Sequence, residues 1–131
     1  MTIAISLPEL LGEVCRVTGV SHAKLTSATR KRAIVRLRQA IVFTARRRTA
    51  RYGRVVSYPR LGHLLGGFDH TTMIHADHHF LDMLRYGEPR ALRAYKIVIR
   101  AYVRLEQQQE ARRRRITEIT APTESYEQLA A

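Results

Sequence analysis

Gly66-Gly67-Phe68-Asp69-His70-Thr71-Thr72-Met73-Ile74-His75-Ala76 is the stretch that decides how this chain folds. Paired glycines stop a helix and turn the chain. Asp69 then has the side chain and the place of a helix N-cap, and Met73 and Ile74 begin the apolar spacing of a new helix. Asp69 is also the first acidic residue after Glu13. Everything between is free of Asp and Glu but rich in arginine and lysine, from Arg16 to Arg60. A long basic surface that ends in a turn and a capped polar helix start reads as a DNA-docking face followed by its reading head.

The residues before this stretch complete a helical pair. Ser57 suits the cap of a short helix, Pro59 falls in its first turn, and Leu61, Leu64 and Leu65 are its buried residues. That helix and the next, running from Asp69 to about Arg85 with Met73, Ile74, Phe80, Leu81 and Leu84 inward, have the lengths and turn chemistry of a helix-turn-helix. In that motif the start of the second helix enters the major groove. The side chains there are Asp69, His70, Thr71 and Thr72. A carboxylate accepts from the exocyclic amine of cytosine, a threonine methyl packs on that of thymine, and histidine meets a base-edge acceptor. A simple N-cap also explains Asp69, and early-helix preference also explains the threonines.

Further out, Ser6 with Glu9 forms a capping box. Leu7, Leu10, Leu11, Val14 and Val17 make one stripe, and Gly19 ends the helix. Ser21 caps a short turn to Leu25. Thr26 to Thr29 is a polar break before a longer helix with Ile34, Leu37, Ala40, Ile41 and Thr44 inside. Arg32, Arg36 and the cluster Arg46, Arg47 and Arg48 are expected near or on its outer face, and Arg51-Tyr52-Gly53-Arg54 reads as a basic loop. After the turn at Tyr86–Pro89, a last helix runs towards Glu118 with Leu92, Tyr95, Ile99 and Tyr102 at helical spacing. That stripe suits packing on the domain or a homodimer through the last helix, and packing is favoured because short coiled coils are seldom stable. The expected division is a DNA-binding domain over 1–86, a helical extension over 87–119 and a disordered tail over 120–131.

The chain has 131 residues, a hydrophobic fraction of 45% and a net charge of +12, with a pI near 11. This fits one all-α domain with a modest core and an anionic partner. The single cysteine, Cys15, excludes an internal disulfide, fits a reducing compartment and is expected as a packed thiol. No apolar run reaches membrane-spanning length and no secretory signal is visible, so a cytoplasmic, nucleoid-associated protein without a membrane partner is expected.

Among the histidines, His75 and His79 lie four apart, but a closed zinc site needs four ligands and no full set is evident. The expectation is no metal, with His70 on DNA, His75 packed, and His78 and His79 solvated. Arg112–Arg115 suits a solvated helix end or an extra phosphate contact. Nothing resembles a nucleophile with its base or a pair of carboxylates in an apolar setting, so an enzyme is not expected.

Taken together, these residues resemble the C-terminal DNA-binding domain (domain IV) of the bacterial chromosomal replication initiator DnaA. The likeness rests on Gly66-Gly67-x-Asp69-His70-Thr71-Thr72 with Ile74-His75-Ala76, on Arg36-x-Arg38-Gln39-Ala40, on Pro59-x-Leu61-Gly62, and on Cys15-Arg16-x-x-Gly19-Val20 through Leu25. It spans roughly Leu10 to Leu84. It implies a Trp-repressor-like helix-turn-helix domain that reads the DnaA box in double-stranded DNA. By position, Asp69, His70, Thr71 and Thr72 correspond to major-groove contacts and Arg30 to an arginine in the minor groove. Arg36, Arg38 and Pro59 correspond to positions that meet or support the backbone. The basic run adds Lys31, Arg32, Arg47, Arg48, Arg54 and Arg60 as backbone candidates. Phe68 stands where the family usually has a basic residue, Arg60 where it usually has an acid, and the segment Arg46–Val56 is longer and more basic. No Gly-x-x-x-x-Gly-Lys-Ser/Thr loop occurs in the sequence, so neither a nucleotide nor any other cofactor is expected. The expected roles are regulation of replication initiation or transcription, with non-specific architectural DNA binding as the alternative.

Overall fold

Serine and aspartate side chains set four of the helix starts. In the computed structural model, which describes residues 5–51 and 54–120, Ser6 caps α1 (Leu7–Thr18) by accepting from the Glu9 amide. Ser21 caps α2 (His22–Leu25) through the Lys24 amide, and Ser57 caps α4 (Tyr58–Leu64) through the Arg60 amide. Asp69 caps α5 (His70–Tyr86). Each satisfies an amide that the first helical turn leaves without a partner. The long helix α3 (Arg32–Arg48) starts at Lys31 with no side-chain cap. α6 (Pro89–Thr120) begins where the Glu88 carboxylate accepts from the amides of Arg90 and Ala91, at 3.2 and 2.7 Å. That pairing holds the Glu88 carboxyl below its usual range, first through the Ala91 amide. Gly19 and Gly87 end α1 and α5 in the left-handed conformation.

The helices pack around α3. α6 lies along α3 and α1, and α5 along α3 and α4. Phe43 of α3 is the joint: its ring meets Phe80 of α5 edge-on at 5.4 Å and Tyr95 of α6 at 5.7 Å. Such edge-on pairs add to area burial because the positive ring edge meets the negative face. Ile5, Leu10, Val14, Leu25, Ile41, Leu61 and Leu65 are among the fully buried side chains around it. The fold class is all-α with a helix-turn-helix and a long last helix.

Three expectations need correction. The basic loop carries a small antiparallel ladder, β1 (Ala50–Arg51) with β2 (Arg54–Val55), pairing Ala50 with Val55 and Arg51 with Arg54. Val17 is 43% exposed, and Glu13 takes the inward place instead. It does so because Arg16, at 2.5 Å, and Arg104 of α6, at 3.9 Å, neutralise it. On α6 Tyr95 and Tyr102 of the expected stripe do pack inward, but Leu92 does not, and Ala91, Ala94, Val98 and Ala101 complete the buried face. Alanines let α6 approach α3 closely, and Leu92 turns out to solvent. Cys15, half-buried, packs against the core as expected, and burial pushes its thiol pKa up. The tail beyond Thr120 lies outside the described residues.

Candidate nucleic-acid interface

The turn between α4 and α5 is made by backbone meeting backbone. Gly67 and Phe68 both donate their amides to the Gly62 carbonyl, each at 2.9 Å. A Cβ on Gly62 would stand 2.0 Å from the Phe68 carbonyl oxygen. Gly66, with φ +122°, leaves room for the Thr26 carbonyl, which a Cβ would meet at 2.1 Å. Only glycine permits both contacts without a backbone shift. The turn thereby fixes the start of α5 against α4 and the end of α2.

At that start, Asp69 Oδ1 accepts from the Thr71 amide at 3.0 Å and lies 2.9 Å from His70 Nδ1. The Asp69 and His70 side chains are 67% and 59% exposed, and Thr71 and Thr72 are exposed beside them. Asp69, His70, Thr71 and Thr72 therefore form one solvent-facing polar group. The helix N-terminus, with its free amides, offsets the charge of Asp69.

Behind the exposed end, α5 is clamped by a carboxylate that the sequence did not single out. Asp77 is 3% exposed. It accepts from Arg47 of α3 and from the Tyr58 hydroxyl of α4, each at 2.6 Å. Arg47 also lies 3.7 Å from the Phe43 ring centroid and donates to the Phe43 carbonyl. The Tyr58 hydroxyl is pushed up in pKa by burial and then by Asp77. One residue thus ties the recognition helix to both neighbours. The only sequence signal for it is an acid at the inward spacing of α5, four residues after Met73 and three before Phe80.

The basic candidates fall into two groups. Arg30, Lys31 and Arg32 are exposed and make no side-chain hydrogen bond or ion pair among the described residues. Pro59 is exposed and Arg60 half-buried. Arg48 is exposed and stacks 5.7 Å over Tyr102. Others are engaged by the fold. Arg38 donates to the Thr29 carbonyl at 2.6 Å, and burial lowers its pKa. It stacks 5.5 Å over Phe68, and it shares with Thr72 the wall of a depression of about 120 Å³. Arg36 donates to Gln39 and lies 3.8 Å from Glu88. Arg46 donates to the Val56 carbonyl and stacks 4.2 Å over Tyr58. The Arg54 side chain lies outside the described residues. His75 is exposed rather than packed. No group of three or more metal-ligating side chains occurs among the described residues. No helix among them is long and apolar enough to cross a membrane.

A short helix, a glycine turn locked by backbone contacts, and a second helix presenting a capped polar end define a helix-turn-helix of the DNA-binding class. The chain belongs to the family described as the bacterial dnaA protein helix-turn-helix, whose model matches residues 8–79. It is 38% identical over 73 residues to the chromosomal replication initiator protein DnaA of Levilactobacillus brevis, covering 56% of this chain and 15% of that protein. Identity to the same protein of Sphingopyxis alaskensis is 36% over 72 residues, covering 55% and 15%. To that of Caulobacter vibrioides it is 43% over 58 residues, covering 44% and 11%. The chain spans about 15% of the length of the first two of these relatives.

Proposed function

We propose that this chain binds double-stranded DNA sequence-specifically at DnaA-box-like sites, and through that occupancy regulates replication initiation or transcription. The observation that carries the proposal is the exposed group Asp69, His70, Thr71 and Thr72 at the start of a helix anchored from behind. Asp69 uses Oδ1 for its cap and for His70, so Oδ2 is left to accept from an exocyclic base amine. His70 meets Asp69 through Nδ1, which turns Nε2 to a base edge. The exposed Thr71 and Thr72 would pack their methyls on that of thymine.

Backbone attraction comes from the exposed cations Arg30, Lys31, Arg32 and Arg48, supported by Arg60 and Pro59 on α4. Arg30 is assigned to the minor groove by its resemblance to the family's arginine at that position. Arg36, Arg38 and Arg47 act through the shape of the domain, since each guanidinium has an internal partner. Phosphate contacts of this kind position the domain, and base contacts specify the site.

Selection of binding sites from random DNA at fixed salt tests the proposal. A DnaA-box-like consensus is expected, with Thr71→Ala lowering affinity for it by about 1–3 kcal/mol and leaving random DNA nearly unaffected. A second reading, non-specific backbone binding, is favoured by Phe68 lying over Arg38 where the resembling family has a free cation. It requires that selection yields no consensus and that affinity follows salt alone.

A further inference from the structure

α6 buries one face, and a stripe beside it stays exposed or half-buried. At 3.6 residues per turn, Leu92, Lys96, Ile99, Val103, Glu106 and Glu110 form a single stripe on the side away from Val98 and Ala101. Leu92 and Val103 are 37% and 40% exposed. The stripe lies beyond residues 8–79, which the family model matches.

Between Lys96 and Glu110 the charges along this stripe group by sign, apart from Arg104, which turns to Glu13. Lys96 and Arg100 precede Val103, and Glu106 and Glu110 follow it. Lys96 with Arg100, and Glu106 with Glu110, are therefore like pairs four apart, and Glu110 also meets Arg114 at 3.5 Å. Like charges at that spacing destabilise a helix on its own, whereas a helix face made only for water tends to alternate signs. Among the described residues, Lys96, Arg100 and Glu106 make no ion pair.

We propose that this face is covered by the same face of a second copy, the two α6 helices running antiparallel about a two-fold axis at Val103. Residues equidistant from Val103 then meet. Arg100 faces Glu106, three positions to either side, and Lys96 faces Glu110, seven to either side. Both pairs occur twice by symmetry. Val103 packs on Val103, Ile99 on the stem of Gln107, and Leu92 on the stem of Arg114. A parallel pairing sets each block against its own sign, so the charges fix orientation and register together. The contact is short and charge-dependent, which makes the association weak and sensitive to salt. The pairing does not depend on the DNA-binding reading. Its consequence does: a dimer carries two α5 reading heads and joins two sites.

Sedimentation equilibrium of the full chain, without DNA and at low salt, should show a monomer–dimer equilibrium between micromolar and millimolar concentration. Lys96→Glu with Arg100→Glu, or Glu106→Lys with Glu110→Lys, should each weaken self-association by at least about tenfold. Mixing the two reversed proteins should restore pairing. In a Cys15→Ser background, Val103→Cys should form a disulfide-linked dimer on mild oxidation, and Arg93→Cys, off the axis, should not. A wild-type monomer at millimolar concentration overturns the proposal, as do reversed variants that associate like the wild type or fail to complement. Because no DNA is present, such a failure leaves the DNA-binding reading standing, and loss of sequence discrimination leaves the pairing standing.

Discussion

Replacing Asp77 should loosen the recognition helix from its supports. Its carboxylate is buried and holds two short hydrogen bonds, to Arg47 and to the Tyr58 hydroxyl. Removing one partner of a fully buried pair costs about 3–5 kcal/mol. Here the Arg47 side chain is 40% exposed and regains water, which reduces the loss. Asp77→Ala should therefore cost about 2–3 kcal/mol. Asp77→Asn keeps one acceptor and should cost about 1–2 kcal/mol, as should Tyr58→Phe. Arg47→Met and Asp77→Asn together should be less damaging than their sum, with a coupling of about 1–2 kcal/mol. Urea unfolding followed by circular dichroism reads all four. Free energies within about 0.5 kcal/mol of wild type for Asp77→Asn and Tyr58→Phe would refute the reasoning, as would strict additivity of the Arg47 and Asp77 changes.

Three further outcomes are expected. Gly66→Ala should destabilise by about 3 kcal/mol or more, because its Cβ meets the Thr26 carbonyl at 2.1 Å and φ is +122°. Gly67→Ala, with open space at φ +85°, should cost only about 1–2 kcal/mol, and equal losses in urea unfolding would contradict the turn geometry. The Glu13 carboxyl is held below its ordinary value of 4.5, chiefly by the Arg16 hydrogen bond against the opposing effect of burial. Its stabilisation is fully present above pH 4.5 and is lost as pH falls through the lower folded value, so Glu13→Gln should flatten the acid side of a stability–pH curve. Phe68→Arg should tighten binding to box and random DNA alike and steepen the salt slope by about 1, as read by a salt titration.

Most of the helical plan was legible because its signals are local. Ser6, Ser21, Ser57 and Asp69 cap helices through amides two or three residues away, and Gly19 sits one residue past its helix. The register of α6 was legible only in part. Tyr95 and Tyr102 marked the inward side, but alanine carries little hydropathy, so Ala91, Ala94 and Ala101 gave no stripe and the larger Leu92 was placed inward in error. Glu13 was missed for the opposite reason: a charge enters the interior only with partners, and one of them, Arg104, comes from the far end of the chain.

The reading head was visible as residue types, and its exposure follows from the cap. Its support was not visible, because Asp77 lies 30 residues from Arg47 and 19 from Tyr58. A run of arginines looks uniform in sequence. Packing divides it into free cations such as Arg30 and Arg32 and internally bonded ones such as Arg38 and Arg47.

The ratio of affinities for a selected DnaA-box-like duplex and a scrambled duplex, measured at one salt concentration for wild type and Asp69→Ala, bears most directly on the central claim. The account predicts a clear preference in the wild type, reduced by about 1–3 kcal/mol in the variant while binding to the scrambled duplex is nearly unchanged. An unchanged ratio, with both duplexes bound alike before and after the substitution, would contradict it.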